Sequence, residues 1–456
     1  MRAVVCVRLG LDGELGPFDA CAYEAALEQG LDVTLLSMCK ESDRDALLKL
    51  TRLGATRAVV LSDPAFAGAD TLATAYALSL AVRKLSPDVV FCGRQTMIGD
   101  TAQTGIMLAT LAGLAPITEV MKIEELGDTV TCMTRRSGRV TRQLPALLTV
   151  ERINTLRLPR LRSRLGELEV WRASDIGADP ARCGLVGSPT RVVRTFENES
   201  GKRRCKFIKR EELEDVIKAA LAKTKISEKT DKCSKKLDTS PVFSVGTAPL
   251  DFAKSIHAEP TVIAPYDTET VISMIKAHDP AAVIFGSDAE SKRISAEVAA
   301  RLSLGLCADL TAIEYDGSEI YMYRPALSGT VIAKIRSTTR PTLATVRTES
   351  ATESNVTVAM GWGVKDSVDR VYALAESLGA TVATTRKMTD NAVAPYDLQV
   401  GLTGRTVAPP VYIAIGISGA VHHIVGMERS GTVIAINPDK NAPIFDYADY
   451  GILEEF

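Results

Sequence analysis

The run Val411-Tyr-Ile-Ala-Ile-Gly-Ile-Ser-Gly-Ala-Val-His-His423, followed by Ala435-Ile-Asn-Pro-Asp439, decides how this chain is read. Val411 to Ile417 is apolar and rich in β-formers, so it reads as a buried strand. It breaks at Ser418-Gly419-Ala420, where a helical pattern begins. A strand that feeds a helix through small residues turns free backbone N–H groups and the helix dipole toward one point, which suits an anion. Two adjacent histidines, of four in the whole chain, fall in the first turn of that helix. A phosphate-bearing cofactor is the ligand to expect, although a turn that merely reverses the chain has the same pattern.

Upstream, the same alternation runs from the start. Val4 to Val7, Val33 to Met38, Ala58 to Leu61 and Val89 to Cys92 read as strands. Cys21 to Gln29, Arg44 to Leu53 and Gly68 to Leu85 read as helices between them. Strands separated by helices of this length imply parallel βαβ units in an open α/β sheet, which takes ligands beyond the carboxyl ends of its strands. The theme then repeats. Pro87-Asp-Val-Val-Phe-Cys-Gly93 is echoed by Pro280-Ala-Ala-Val-Ile-Phe-Gly286, and Leu144-Pro-Ala-Leu-Leu-Thr-Val150 by Arg340-Pro-Thr-Leu-Ala-Thr-Val346. Two copies of one Rossmann-like α/β domain are expected at about 1–190 and 241–348, with a third α/β unit at 349–456. Residues 202–236 carry Lys202-Arg-Arg204 and Lys235-Lys236 and read as a solvated helix or linker, with 223–240 as a tether.

Composition narrows the function classes. The net charge of −2 gives no sign of nucleic acid or membrane partners, and no apolar stretch reaches the length of a span. Nine cysteines are scattered without a CxxC pair, which argues for a reducing compartment and against a zinc or iron–sulfur centre. A strand begins right after Met1, leaving no room for a signal or transit peptide. The expectation is a cytoplasmic protein with no metal and no catalytic triad.

With these parts in order, the chain resembles the electron transfer flavoproteins, a β subunit fused ahead of an α subunit. The resemblance is most specific in Gln399-Val-Gly-Leu-Thr-Gly-Arg-Thr-Val407, Tyr412 to Ala420, Ala435 to Asp439, Ala442-Pro-Ile-Phe445 and Ala448-Asp-Tyr-Gly-Ile452. Gly68-Ala-Asp-Thr-Leu-Ala-Thr74 and Gly99-Asp-Thr-Ala-Gln-Thr-Gly105 resemble the β subunit's nucleotide site. The resemblance implies four segments: 1–225, a nucleotide-binding domain with a partner loop; 226–240, a linker; 241–348, a shortened α-subunit domain; and 349–456, the FAD domain. It further implies that FAD lies against Trp362, Thr385, Arg386, Val400, Gly401, Leu402, Thr403, Ser418, Gly419, Ala420, Val421, His422, His423, Asn437 and Asp439. Thr403 would approach the redox ring, Ser418 to Ala420 the phosphates or ribityl, His423 the N1/O2 edge, and Asn437 and Asp439 the adenosine. Read without the family, Thr403 and Asn437 are ordinary turn residues.

The N-terminal site implied by the resemblance comprises Cys6, Pro17, Phe18, Asp19, Ser37, Gly99, Asp100, Thr101, Gln103, Thr104 and Gly105. It would hold AMP, as in simple members, or a second FAD, as in members that bifurcate electrons from NADH. Leu161, in Ile153-Asn-Thr-Leu-Arg-Leu-Pro-Arg-Leu161, aligns with the family's anchoring leucine for a dehydrogenase of the acyl-CoA type. Departures fall near the redox ring. Trp362 stands where the family has an arginine, in Met360-Gly-Trp-Gly363, and Leu402 where it has glutamine. In the N-terminal half, Gly16 replaces an asparagine and Ile98 an aspartate. Three readings stay open: a carrier between a dehydrogenase and an acceptor, an NADH-oxidising bifurcating enzyme with two FAD, and an adenine-nucleotide module that has lost flavin chemistry.

Overall fold

Buried Val- and Ile-rich runs and the helices between them fall where the sequence places them in the computed structural model. It describes the chain except residues 11–12, 97–98, 199–200, 225–234, 238–239 and 348–353, and the side chains of 223, 224 and 328. Ile98, most of the expected linker 226–240 and the boundary at 348/349 lie outside the described residues.

The first repeat runs β1 (Arg2–Cys6), α1 (Pro17–Glu28), β2 (Asp32–Met38), α2 (Arg44–Leu50), β3 (Arg57–Leu61), α3 (Thr71–Leu85), β4 (Val89–Gly93) and α4 (Thr104–Ala112). It continues with β5 (Ala115–Leu126), β6 (Thr129–Thr134), β7 (Gly138–Gln143), β8 (Ala146–Val150) and β9 (Glu167–Trp171). These nine strands form one sheet in the order β7-β6-β5-β8-β4-β1-β2-β3-β9, antiparallel at β5-β6-β7 and parallel elsewhere. β1 to β4 are buried on both faces, which is why they read as continuous rather than alternating apolar runs. The chain reverses direction across the sheet between β1 and β4, the crevice where such folds bind ligands.

β10 (Thr190–Glu197), β11 (Lys206–Phe207) and α5 (Leu213–Thr224) lead to the second repeat. It comprises β12 (Val242–Val245), α6 (Leu250–Ile256), β13 (Thr261–Ile263), α7 (Thr268–His278), β14 (Ala282–Phe285), α8 (Ala289–Leu302) and β15 (Leu306–Leu310). After these come β16 (Ala312–Tyr315), β17 (Ile320–Ala326), β18 (Val331–Ser337) and β19 (Thr342–Val346). The parallel sheet is β13-β12-β14-β19-β15, and β16 to β18 join β10 in a second sheet. The duplication extends to the backbone. Glu119 on β5 and Asp309 on β15 both adopt a left-handed φ of 57°, and their N–H groups donate to Thr149 Oγ1 (3.1 Å) and Thr345 Oγ1 (2.9 Å). α4 and α8 share one hydrophobic core.

The last part holds β20 (Val356–Met360), α9 (Val368–Ser377), β21 (Thr381–Thr384), α10 (Arg386–Asp390), β22 (Val411–Ile415), α11 (Val421–Ile424), β23 (Thr432–Ile436) and β24 (Tyr450–Ile452). Its all-parallel sheet, β11-β24-β23-β22-β20-β21, reverses direction between β20 and β22. The chain divides into two compact units. One is Met1–Thr195, Ser234–Leu327 and Ala333–Val346, and the other is Phe196–Cys233, Ser328–Ile332 and Arg347–Phe456.

One expectation changes here. The basic stretch 202–236 was read as a solvated helix or linker, its first part placed with the domain 1–225. A helix does form there, but β11 extends the C-terminal sheet and α5 buries Leu213, Ile217 and Ala220 in its core. Those three residues recur at helical spacing beneath a charged surface, so the charges masked the stripe.

Candidate functional site

Each unit gathers its candidate residues at a reversal of strand order. In the first repeat, Asp19, near the start of α1, bridges the loops that leave β1 and β4. Its carboxylate accepts the Arg8 N–H (2.9 Å) and the Gly93 N–H. Burial pushes its pKa up to about 7 against those donors. Gly93 has to be glycine, since a Cβ there would fall 2.4 Å from the Asp19 carboxylate. Cys6 and Cys92 face each other in register across β1 and β4. The hydrogen bond from Cys6, followed by burial, raises the Cys92 thiol well above the usual range. Phe18 is buried beside Asp19, Pro17 opens α1, and Ser37 lies buried at the end of β2.

The loop after β4 carries the remaining predicted residues. Asp100 and Ala102 adopt left-handed φ of 52° and 53°. Asp100 accepts from Gln95 Nε2 (2.6 Å), its N–H donates to Thr96 O (3.0 Å), and the Gly99 N–H donates to Thr96 Oγ1 (3.3 Å). Gln103 is 1% exposed, and neither its amide oxygen nor its nitrogen has a hydrogen-bond partner among the described residues. Thr104 starts α4. Gly105 lets that helix close on β8, because a Cβ would meet Thr149 Cγ2 at 2.8 Å. Asp70 of the Gly68-Ala-Asp-Thr71 motif is committed to structure: it caps α3 through Leu72 N–H and Ala73 N–H and holds Thr190.

In the second unit, four loops meet at the carboxyl edge of the sheet: Gly361–Gly363 after β20, Thr385–Arg386 after β21, Gly416–Ala420 after β22 and Asn437–Asp439 after β23. The Gly361 and Gly363 N–H groups donate to Ile415 O (2.8 Å) and Gly416 O (3.0 Å), closing the β20/β22 crossing point. Ser418 and Ala420 are exposed at its rim. Gly419, at φ 91°, lies so close to the following loop that a Cβ would sit 2.1 Å from Ile444 N. α11 is a single turn, so the long-helix dipole expected from the sequence is absent. The anion-binding capacity of this turn rests on its backbone N–H groups alone.

Val400 to Thr403 is held at each residue. The Val400 N–H bonds Thr384 O (2.9 Å), the Leu402 N–H bonds His422 O (2.6 Å), and buried Arg347 donates to Leu402 O (2.9 Å). Gly401 has φ 139° and packs against the His422 carbonyl. Buried Thr403 accepts from Gln399 Nε2 (2.9 Å), which leaves its own O–H proton to donate elsewhere.

The two histidines differ in surroundings. His423 was expected at the flavin edge, but it is buried with both ring nitrogens bonded to protein: Nδ1 to Val400 O (3.1 Å) and Nε2 to the Tyr412 hydroxyl (3.0 Å). A carbonyl can only accept, so Nδ1 carries the proton and Nε2 accepts from Tyr412. Burial lowers its pKa to about 4, with the Val400 bond opposing, so the ring is neutral. His423 therefore shapes the Val400 loop from beneath, and half-buried His422 and Val421 are the members of the pair's turn that reach the surface. Asn437 ties two loops together, its Nδ2 donating to Ile417 O (3.0 Å) and its Oδ1 accepting the Asp439 N–H (2.9 Å). Exposed Asp439 accepts from Asn441 N–H (2.9 Å). Arg386, following Thr385 at the start of α10, pairs with Asp390 (3.0 Å).

Trp362 is half-buried, and Lys387 Nζ lies 4.6 Å from its ring centroid, with Lys365 at 5.9 Å. Lys387, next to Arg386 on α10, was not among the residues singled out from the sequence. Arg324 and Arg347 were missed as well, since both sit in strands or linkers without a motif. In the 153–161 loop, Leu161 is 100% exposed and Leu158 87%. Among the described residues, no helix is long and apolar enough to cross a membrane, and no group of three His, Cys, Asp or Glu side chains is placed to hold a metal.

Comparison with known proteins agrees with this geometry. The electron transfer flavoprotein domain matches residues 3–176 and 248–373, and the electron transfer flavoprotein FAD-binding domain matches 350–428. Protein FixA of Azorhizobium caulinodans is 42% identical over 211 residues, covering 42% of this chain and 75% of that protein. The electron transfer flavoprotein subunit beta of Clostridium acetobutylicum is 37% identical over 207 residues (42% and 79%). The subunit alpha of Bacillus subtilis is 32% identical over 228 residues (41% and 70%). Relatives of both kinds thus meet in a single polypeptide, with the FAD-binding match falling on the crossing point between β20 and β22. This chain belongs to the electron transfer flavoprotein family, its β-like part preceding its α-like part.

Proposed function

We propose that this protein carries electrons between a dehydrogenase and a downstream acceptor through FAD held by its C-terminal unit, with an adenine nucleotide in the N-terminal repeat. The observation that carries the reading is the Val400–Thr403 loop beside the β20/β22 crossing point. It is fixed at every residue and offers a Thr403 hydroxyl proton whose oxygen already accepts from Gln399. FAD, when bound, supplies the electron-accepting and electron-donating ring. The chain's residues bind and orient it: Ser418 and Ala420 at the exposed turn take the phosphates, Arg386 the pyrophosphate charge, and Thr403, His422 and Trp362 the ring. Neutral His423 keeps the Val400 loop in shape and adds no charge. Leu161, fully exposed on the 153–161 loop, is the anchor for a dehydrogenase of the acyl-CoA type, and the site of action is the cytoplasm.

The nucleotide in the first repeat is favoured by buried Gln103, whose amide fits a ligand better than an empty apolar wall. AMP there goes with the simple carrier. FAD there goes with the second reading, an NADH-oxidising bifurcating enzyme, which the paired crossing points support. Denaturing the purified protein and counting FAD and AMP by chromatography tests both. One FAD with one AMP supports the carrier, and two FAD support bifurcation. A colourless protein that takes up no FAD on reconstitution would leave the adenine-nucleotide module as the surviving reading.

A further inference from the structure

Arg324, on β17 of the second repeat, is 6% exposed, and its charge is not neutralised by a carboxylate among the described residues. Instead, its two terminal nitrogens donate to the carbonyls of Gly99 (3.1 Å) and Asp100 (2.8 Å) in the nucleotide loop of the first repeat. Its Nε has no partner among the described residues. Other buried cations nearby are treated differently: Arg94 pairs with Glu151 (2.8 Å) and Glu119 (3.7 Å), and Lys292 with Asp309 (2.9 Å). A buried charge left unpaired is costly, so a fold keeps one where something outside the chain compensates it.

We propose that Arg324 is a positioning residue for the first repeat's nucleotide, setting the Gly99–Thr101 peptides for a phosphate and drawing its charge compensation from that phosphate. The inference rests on the nucleotide reading above and deepens it: the site would be composite, and its ligand would have to be anionic. In a trans peptide the C=O and N–H point in opposite directions, so a guanidinium on the Asp100 carbonyl turns the Thr101 N–H away from itself. Asp100 and Ala102 both sit in the left-handed region that non-glycine residues avoid, and the two Arg324 bonds fasten that conformation. Gln103, two residues on, is buried with its amide unpartnered among the described residues, an independent sign that this loop faces a ligand.

The test is calorimetric titration of the full chain, freed of nucleotide, with AMP and with adenosine. Arg324→Ala should weaken AMP about 10- to 100-fold, the scale of one or two charge-assisted bonds, while adenosine changes less than about threefold. Arg324→Lys, which keeps the charge and one donor, should recover part of the AMP affinity, and it carries the test if the alanine variant does not fold. Unchanged AMP affinity in the variants overturns the proposal, as does an equal loss for AMP and adenosine, which marks a structural role only. If the unaltered chain binds neither AMP nor FAD in this repeat, the nucleotide reading itself falls and takes the proposal with it.

Discussion

Replacing Gln103 by leucine should stabilise the nucleotide-free protein and weaken nucleotide binding, two effects of opposite sign from one substitution. The side chain is 1% exposed, and both amide atoms lack a partner among the described residues. A buried polar group left unsatisfied costs about 1–3 kcal/mol. Leucine is close in size and carries no polar atom, so Gln103→Leu should recover about that much in the empty protein. At roughly 2–4 °C per kcal/mol for large domains, Tm rises by roughly 2–12 °C. When the nucleotide is bound, the amide has its partner. Losing that bond costs about 0.5–1.5 kcal/mol, or 1.5–3 kcal/mol if the partner is a charged phosphate oxygen. Each 1.4 kcal/mol is tenfold, so affinity should fall about 2- to 150-fold. Melting curves with and without AMP read both effects together: the variant should be the more stable when empty, and AMP should raise its Tm less than it raises that of the unaltered chain. A variant that is destabilised when empty and unchanged in affinity would refute the reasoning, because Gln103 would then be satisfied within the protein.

The two units should respond to pH in opposite directions. His423 falls from 6.5 to about 4 on folding, so the unfolded chain binds the extra proton between those values. The C-terminal unit then gains stability, on the order of 3 kcal/mol, as pH rises from 4 to 6.5. Asp19 rises from 3.8 to about 7, so the folded state holds the extra proton, and the first unit loses a few kcal/mol as pH rises from 4 to 7. The chain has two tryptophans, Trp171 in one unit and Trp362 in the other, so urea melts of Trp171→Phe and Trp362→Phe report the units separately; parallel pH trends count against both assignments. Ser418→Glu, at an exposed position that spares the fold, should strip FAD from the C-terminal unit, and full flavin retention would move the phosphate site elsewhere. Leu161→Ala should slow electron transfer from the partner dehydrogenase by about 1–3 kcal/mol with flavin content intact; unchanged rates reduce it to a surface residue. Trp362→Arg adds a cation where Lys387 already stacks, and should raise the flavin potential by on the order of 60–130 mV at most. Overlaid redox titrations would show that this position does not set the potential.

Local signals were strong where burial is continuous. The four-strand alternation at the start, the echo of Pro87–Gly93 in Pro280–Gly286 and the Ser418-Gly419-Ala420 break all survive in the structure, because apolar periodicity is what a buried strand or helix requires. The reading failed where a residue's role depends on what lies across from it. The segment of α5 looked like a solvated helix or linker until its three-residue stripe met the C-terminal core. Gly419 looked like a place for phosphate approach, and packing shows that the Ile444 backbone also demands it.

By itself, the sequence determined the α/β class, the duplication, the family and the loops that hold the candidate sites, since each is written in period, spacing and glycine placement along one stretch of chain. Only the tertiary structure decided which polar groups remain available. It turned His423 inward to Tyr412 and Val400, tied Asn437 to Ile417, set Lys387 on Trp362 and brought Arg324 from some 220 residues away onto Gly99 and Asp100. Hydrogen-bond capacity is finite, and whether a side chain has any left for a ligand depends on neighbours that are distant in sequence.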